Sequence, residues 1–421
     1  MNKMLYPNVG EEVYYETLDN GLGIIVVKKS GYAKKYAYFA ANYGGADRNF
    51  TYDGNVVKTP MGVAHFLEHK MFDMPNGNAL NALSENGASP NAYTSLDITA
   101  YHFECVDKFR ENLEILLNFV STGYFTEESV QKEQGIIGQE IGMIEDNPGS
   151  AVYFGLLKCL YAENPIRDSI AGTVESISQI TADTLYKCHS VFYSPSNMAL
   201  CVVGDVDPNE VIETAKRVLP KEKKPVPEGN YGTEPNMPYA SKETRRKMNI
   251  ASQMFLAGIK TDIPKSGADY YRAMICAKLA VSAFMGKSSK LYSELYGGGL
   301  IKSDFEAEFE TAAGASYIAF GGESRDVYGT IGKICERAAE LKTVEFDGKY
   351  FSRIKKMLIG QELKMLNNFD DIAYNAAKGH FLGYDCFDAT ALIESVKKEE
   401  CEAFAAKYFS DENIAVSIIE P

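Results

Sequence analysis

The chain has 421 residues, 45% hydrophobic and 24% charged, and carries a formal net charge of −14. Its length exceeds what one core usually organises and predicts two or more domains, while the acidic balance argues against a nucleic-acid partner. No apolar run reaches the roughly eighteen residues of a membrane span, and the opening MNKMLYPNVGEEVYYETLDNG lacks a secretory or organellar pattern, so the expected location is the cytoplasm.

In chain order, Thr17 to Lys29 reads as two extended pieces around the Asn20-Gly21 turn, and the apolar stretch Tyr36 to Tyr43 as the next strand. A polar loop leads to MGVAHFLEHKMF, residues 61 to 72, predicted as a helix that packs through Val63, Phe66, Leu67, Met71 and Phe72. A short helix over Asn78 to Glu85 follows, closed by Asn86 and Gly87, and then strands within SPNAYTSLDITAYHFECV. Helical periodicity resumes over Phe109 to Val120 and over Glu127 to Glu145, the latter capped by Thr126. Thr181 to Phe192 is a further helix, running into the buried strand of SPSNMALCVVGDV. From Pro220 to Ser241 the pattern fails: prolines at 225, 227, 235 and 238, two glycines and a lysine cluster mark a linker, residues 220–241, between domains at 1–219 and 242–421. The eight cysteines are scattered with no C-x-x-C pair, mostly in apolar company, which predicts buried reduced thiols.

The second half echoes the first. IIGQEIGM at 136–143 recurs as LIGQELKM at 358–365, and FYSPSNMALCVV at 192–203 as YFSDENIAVSII at 408–419, at nearly equal offsets. The expected architecture is therefore α+β, with two similar domains from a tandem duplication. The stretch answering to residues 61–72 lies near Lys287 to Leu295 and has no histidine, so only one half can bind a metal.

His65 and His69 stand one helical turn apart on one face, so their imidazoles can converge on an ion. Glu68 sits at the margin of that face, placed to take a proton from a water without being a ligand. The pattern H-x-x-E-H is the inverted form of H-E-x-x-H and is found in zinc peptidases; a surface His/Glu cluster is the plain alternative. In the later helix Glu133 and Glu140 share a face, and Glu140 lies among Ile136, Ile137, Ile141 and Ile144. A carboxylate turned inward needs a cation or hydrogen-bond donors, and a metal is one way to supply that. His102, His189 and His380 read as structural.

TLDNGL, the histidine motif, NAYTS at 91–95, the acidic helix, VVGDV and the duplicated plan together resemble the pitrilysin/insulinase family of zinc peptidases, and its half-length members such as mitochondrial processing peptidase subunits. The resemblance implies two domains, each a mostly antiparallel sheet backed by helices. It further implies one Zn²⁺ held by His65, His69 and Glu140, with Glu68 as the catalytic base and Glu133 beside the site, either orienting a ligand histidine or forming a plain ion pair. Asn91, Ala92 and Tyr93 match an edge strand to which the family adds its substrate peptide, although an ordinary core strand is an even alternative for Tyr93.

Active relatives carry an Arg and, seven residues later, a Tyr in the second domain, where SKLYSELYGGGLIKSDF offers Tyr296 and, at about the second position, Lys302, and the glycines at 297–299 predict a short flexible stretch. The expectation is a cytoplasmic zinc endopeptidase cutting peptides or unfolded segments in a closed chamber. A related subunit would supply the missing pair in a heterodimer, with a homodimer as another possibility; the alternative is a non-catalytic scaffold subunit.

Overall fold

The computed structural model describes residues 1–75, 77–340 and 346–421. Its first sheet has seven strands: β1 (Asn2–Tyr6), β2 (Glu11–Thr17), β3 (Gly23–Lys28), β4 (Lys35–Ala41), β5 (Ser89–Thr94), β6 (Thr99–Cys105) and β7 (Met198–Gly204), in the order β1-β2-β3-β7-β4-β6-β5. The hairpin of β2 and β3 closes at Asn20-Gly21, where Gly21 takes a φ of 90° and Asn20 Oδ1 accepts from the Leu22 N–H. β7 runs parallel to β3 and antiparallel to β4, and all seven of its residues are buried, as befits a strand covered on both faces.

The second sheet comprises β8 (Glu243–Lys247), β9 (Met254–Lys260), β10 (Glu306–Ala312), β11 (Ala315–Glu323) and β12 (Ile414–Glu420), in the order β8-β12-β9-β11-β10. Its last strand, β12, returns parallel to β8 and antiparallel to β9. Once β1 and β2 are set aside, the two orders agree strand for strand. The duplication heard in the sequence is thus a duplication of topology, and the α+β reading with mostly antiparallel sheets holds.

Seven helices carry the argument: α1 (Val63–Lys70), α2 (Glu127–Asp146), α3 (Pro148–Leu160), α4 (Gly267–Met285), α5 (Lys290–Gly297), α6 (Phe369–Leu382) and α7 (Lys398–Tyr408). Among the described residues no helix is long and apolar enough to cross a membrane.

The chain condenses into two units that trade segments: Met1–Ile141, Ser169–Tyr231 and Leu363–Phe387 form one, and Gly142–Asp168, Gly232–Glu362 and Asp388–Pro421 the other. This differs from the contiguous division at 220–241. The cause is packing. Phe369, Ile372, Ala373, Ala376 and Ala377 give α6 an apolar face that is buried in one cluster with Ile25, Val27, Tyr38, Ala40, Cys201 and Val203 of the first sheet. At roughly 1.5–3 kcal/mol for each large side chain buried, that face outweighs chain proximity. Reciprocally, α3 lies on β12 and β9, and Gly155 permits the approach, since a Cβ there would come 2.3 Å from Ser417 Oγ.

The proline-rich stretch is pinned rather than loose. Glu228–Gly229 pairs with the strand Asn49–Tyr52, and Tyr231 donates to Asp47 Oδ1 at 2.8 Å. Within the second unit, Glu234 accepts from the backbone N–H groups of Ala162, Glu163 and Asn164 at 2.7–3.1 Å.

Candidate metal centre

α1 starts at Gly62, whose φ of 92° and close approach to Ala171 O leave no room for a side chain. From there the helix buries Val63, Phe66 and Leu67 and turns His65 and His69 toward α2. Their rings lie 4.6 Å apart, centroid to centroid. Glu140, one residue before the buried Ile141 of α2, reaches across: His65 Nε2 is 3.6 Å and His69 Nε2 3.8 Å from its two carboxylate oxygens. One ligand atom from each of the three residues lies within 4.8 Å of the other two.

These spacings fit a metal rather than a hydrogen-bonded cluster. They are too long for N–H···O bonds, yet close to the roughly 3.3 Å edge of a tetrahedron with bonds of about 2.0–2.1 Å. Burial, helped by the neighbouring His69, pushes His65 down to about 4, so it is a neutral imidazole at physiological pH, the form that ligates. The two histidines are supported unequally. His69 Nδ1 meets Glu133 Oε1 at 3.0 Å, which leaves its Nε2 turned to Glu140, whereas the buried His65 Nδ1 has no hydrogen-bond partner among the described residues. The Glu133 bond holds His69 above its ordinary value; reciprocally, His69 first and then Lys70 hold Glu133 below the usual carboxylate range.

Lys70 is the residue that sequence reasoning passed over. Its side chain is 4% exposed, its Nζ pairs with Asp73 Oδ2, and it lies 3.6 Å from Glu133 Oε2, making a chain of charges from Asp73 to His69. The signal was a lysine inside an otherwise apolar helix flank with an acid three residues on. Glu68 is 9% exposed and accepts from Thr94 Oγ1 at 3.3 Å; burial holds it above the usual carboxylate range.

Among the described residues β5 is the terminal strand of its sheet, paired only with β6. Because Thr94 faces α1, the alternation of a strand puts Ala92 on that face as well and Tyr93 on the other. Tyr93 accordingly shares a 2.5 Å hydroxyl contact with Tyr38 and lies beside His102, so its ring is turned away from the histidines. Pro90 has no N–H, and the N–H of Ala92 is held at 2.9 Å by the neighbouring Asn91 Oδ1, so the backbone of these alternate residues lies along the unpaired edge.

The remaining histidines are elsewhere: His102 stacks against Tyr38, His189 Nε2 meets Val120 O at 3.0 Å, and His380 lies over Gly23. In the second unit the expected flexible glycines instead end α5. Leu300 N–H bonds Leu295 O and Gly299 N–H bonds Tyr296 O, with Gly299 at a φ of 65°, the paired bonds of a Schellman stop. Tyr296 is 53% exposed and stacked on Tyr292, and Lys302 is paired with Glu323 and with Ser252 Oγ at 3.1 Å.

An inverted His-x-x-Glu-His helix with a distant glutamate, set in a duplicated α+β plan, defines a metallopeptidase class. Comparison with known proteins agrees. Residues 57–174 match the Insulinase (Peptidase family M16) profile and residues 179–358 the Peptidase M16 inactive domain profile. The chain is 37% identical over 431 residues to the uncharacterized zinc protease YmfH of Bacillus subtilis, covering 99% of this chain and 98% of that one. A solved putative M16-like peptidase from Alicyclobacillus acidocaldarius superposes with a TM-score of 0.92 at 31% identity, over 98% of each chain. A probable mitochondrial-processing peptidase subunit beta of Arabidopsis thaliana is 28% identical over 165 residues, 38% of this chain and 31% of that one. The chain belongs to the M16, or insulinase, peptidase family.

Proposed function

We propose that the chain is a zinc endopeptidase in which His65, His69 and Glu140 hold the ion and Glu68 is the general base. The observation that carries this reading is the convergence of the three ligand atoms within 4.8 Å, with the Glu68 carboxylate held beside them by Thr94. When bound, Zn²⁺ supplies Lewis acidity at the scissile carbonyl and acidifies the attacking water. Glu68 takes the proton from that water and delivers it to the leaving amine, and its burial makes it a stronger base than a solvated carboxylate. Glu133 fixes the tautomer and angle of His69, backed by Lys70. The free edge of β5 receives the substrate as an added strand through the backbone of residues 90–94, with Asn91 Oδ1 giving up the Ala92 N–H; Tyr93 supports the strand from the opposite face.

The groups that would bind the developing oxyanion come from a second, related chain, forming a heterodimer that encloses the substrate. Two features support this: the resemblance sets Tyr296 and about Lys302 where active relatives carry Arg and Tyr, and Lys302 is already engaged by Glu323. The kinship to a protein described as a processing-peptidase subunit points the same way.

Glu68→Gln tests the mechanism. The variant is expected to retain about one zinc per chain while peptide cleavage falls by roughly 10²–10⁴-fold. Unchanged cleavage rejects Glu68 as the base, and protein that neither binds zinc nor cleaves, alone or with a related chain, favours the scaffold reading. Full turnover by the isolated chain refutes the heterodimer.

A further inference from the structure

Cys276, in the middle of α4, and Cys401, near the start of α7, hold their sulfur atoms 3.9 Å apart. We propose that this pair is a reversible oxidation site, at which a hydroperoxide converts the two thiols into a disulfide joining α4 to α7.

The pair is asymmetric in the way such chemistry requires. Cys276 is partly exposed and Cys401 fully buried, so an oxidant reaches the former first. The Cys401 S–H points at the Cys276 main-chain oxygen at 3.6 Å, so the buried thiol has its proton engaged while its sulfur faces that of Cys276, placed to act as the resolving thiol once Cys276 is oxidised. One turn before Cys276, Arg272 clasps Glu400 with both carboxylate oxygens at 3.0 Å. That clasp fixes the two helices next to the thiols; the neighbouring Cys401 first, and the Arg272 guanidinium only after it, hold the Cys276 thiol below its ordinary value against the opposing effects of burial and Glu400. From 3.9 Å, a bond of about 2.05 Å forms if each sulfur moves by roughly 1 Å.

In the first step the Cys276 thiolate attacks the hydroperoxide oxygen, breaks the O–O bond and becomes a sulfenic acid, with hydroxide or alkoxide leaving as water or alcohol. In the second, Cys401 gives its proton to the departing hydroxyl and its sulfur displaces water from Cys276, closing the S–S bond. Two electrons pass to the peroxide, and a dithiol reductant returns them.

The test uses the whole purified chain exposed to hydrogen peroxide, then alkylated and weighed under denaturing, non-reducing conditions. The expected result is two fewer alkylated thiols than the eight found free, a loss of about 2 Da in a sample weighed without alkylation, and a proteolytic fragment pair linking Cys276 to Cys401. The change should reverse with dithiothreitol and vanish in Cys276→Ser and in Cys401→Ser. Cys335→Ser, which removes another partly exposed thiol, should leave the link intact. Eight alkylatable thiols after treatment, over-oxidation of Cys276 without a link, or linkage through any other cysteine would each overturn the proposal.

Discussion

Glu133→Gln isolates the support given to one ligand. The substitution keeps an acceptor for His69 Nδ1 at about the same place but removes the negative charge 3.0 Å from the ring and one of the two carboxylates that face Lys70. At an effective dielectric near 20, the Lys70–Glu133 attraction at 3.6 Å is roughly 4–5 kcal/mol gross, largely offset by the desolvation of two mostly buried groups. What reaches the metal is the orientation and basicity of His69, for which loss of an outer partner typically costs 10–100-fold in affinity, or about 1.4–2.7 kcal/mol. His65 cannot compensate, because among the described residues its Nδ1 has no partner of its own. The assay is zinc competition between the apo-protein and a chromophoric chelator, with circular dichroism to confirm the fold. An affinity within twofold of the parent chain would refute the claim that Glu133 acts through His69.

Gly62→Ala would put a side chain at a φ of 92° and 2.6 Å from Ala171 O; a cost of about 1–3 kcal/mol is expected in urea unfolding, together with weaker zinc binding as the start of α1 shifts. Lys70→Met leaves Glu133 and Asp73 without their shared cation, so stability should drop by about 3 kcal/mol, read from the denaturant midpoint at unchanged slope. Asp47, pushed up to about 7 by burial, keeps its proton in the folded chain at pH values where the unfolded chain has lost it. Stability should therefore fall as pH rises from about 4 to about 7, by up to roughly 4 kcal/mol, and level off above. Asp47→Asn, whose amide oxygen can still accept from the Gly44 N–H while its NH2 donates to the Tyr231 hydroxyl oxygen, should flatten that slope; parallel profiles for the two proteins would exclude Asp47 as its source. Ala92→Pro removes one edge N–H at a position outside the ladder, and kcat/KM should fall by about 2–12-fold with zinc content unchanged.

The histidine helix was legible because its signal is local: the four-residue spacing of His65 and His69 fixes their relation on any helix. Glu140 lies on another helix, and the family resemblance pointed to it; the inward setting expected from its isoleucine neighbours is not found, since its side chain is 40% exposed and Ile136 48%. Strand alternation already contained the orientation of Tyr93, since a Thr94 that meets Glu68 turns its neighbour to the opposite face. Other features were not local. The apolar stripe of α6 announces that it must be covered but does not say by which sheet, so the exchange of segments between the two units left no mark in periodicity. Nor does a proline-rich composition reveal that Tyr231 has a buried carboxylate to bond, or that Glu234 will cap three successive N–H groups.

The two copies of the plan also show why a shared topology need not preserve a shared chemistry. Between β4 and β5 the first copy places α1, short and mostly buried, where two imidazoles must meet an acid from α2. Between β9 and β10 the second copy places the nineteen-residue α4 and then α5. There the Schellman stop at Gly299 fixes Tyr296 on the last turn, and Lys302 is drawn to Glu323 on β11. The strands that define the fold are matched in both copies, while the segments strung between them carry the chemistry and have diverged. A family position filled in one half therefore says nothing about its counterpart in the other, and each site has to be argued from the side chains that meet there.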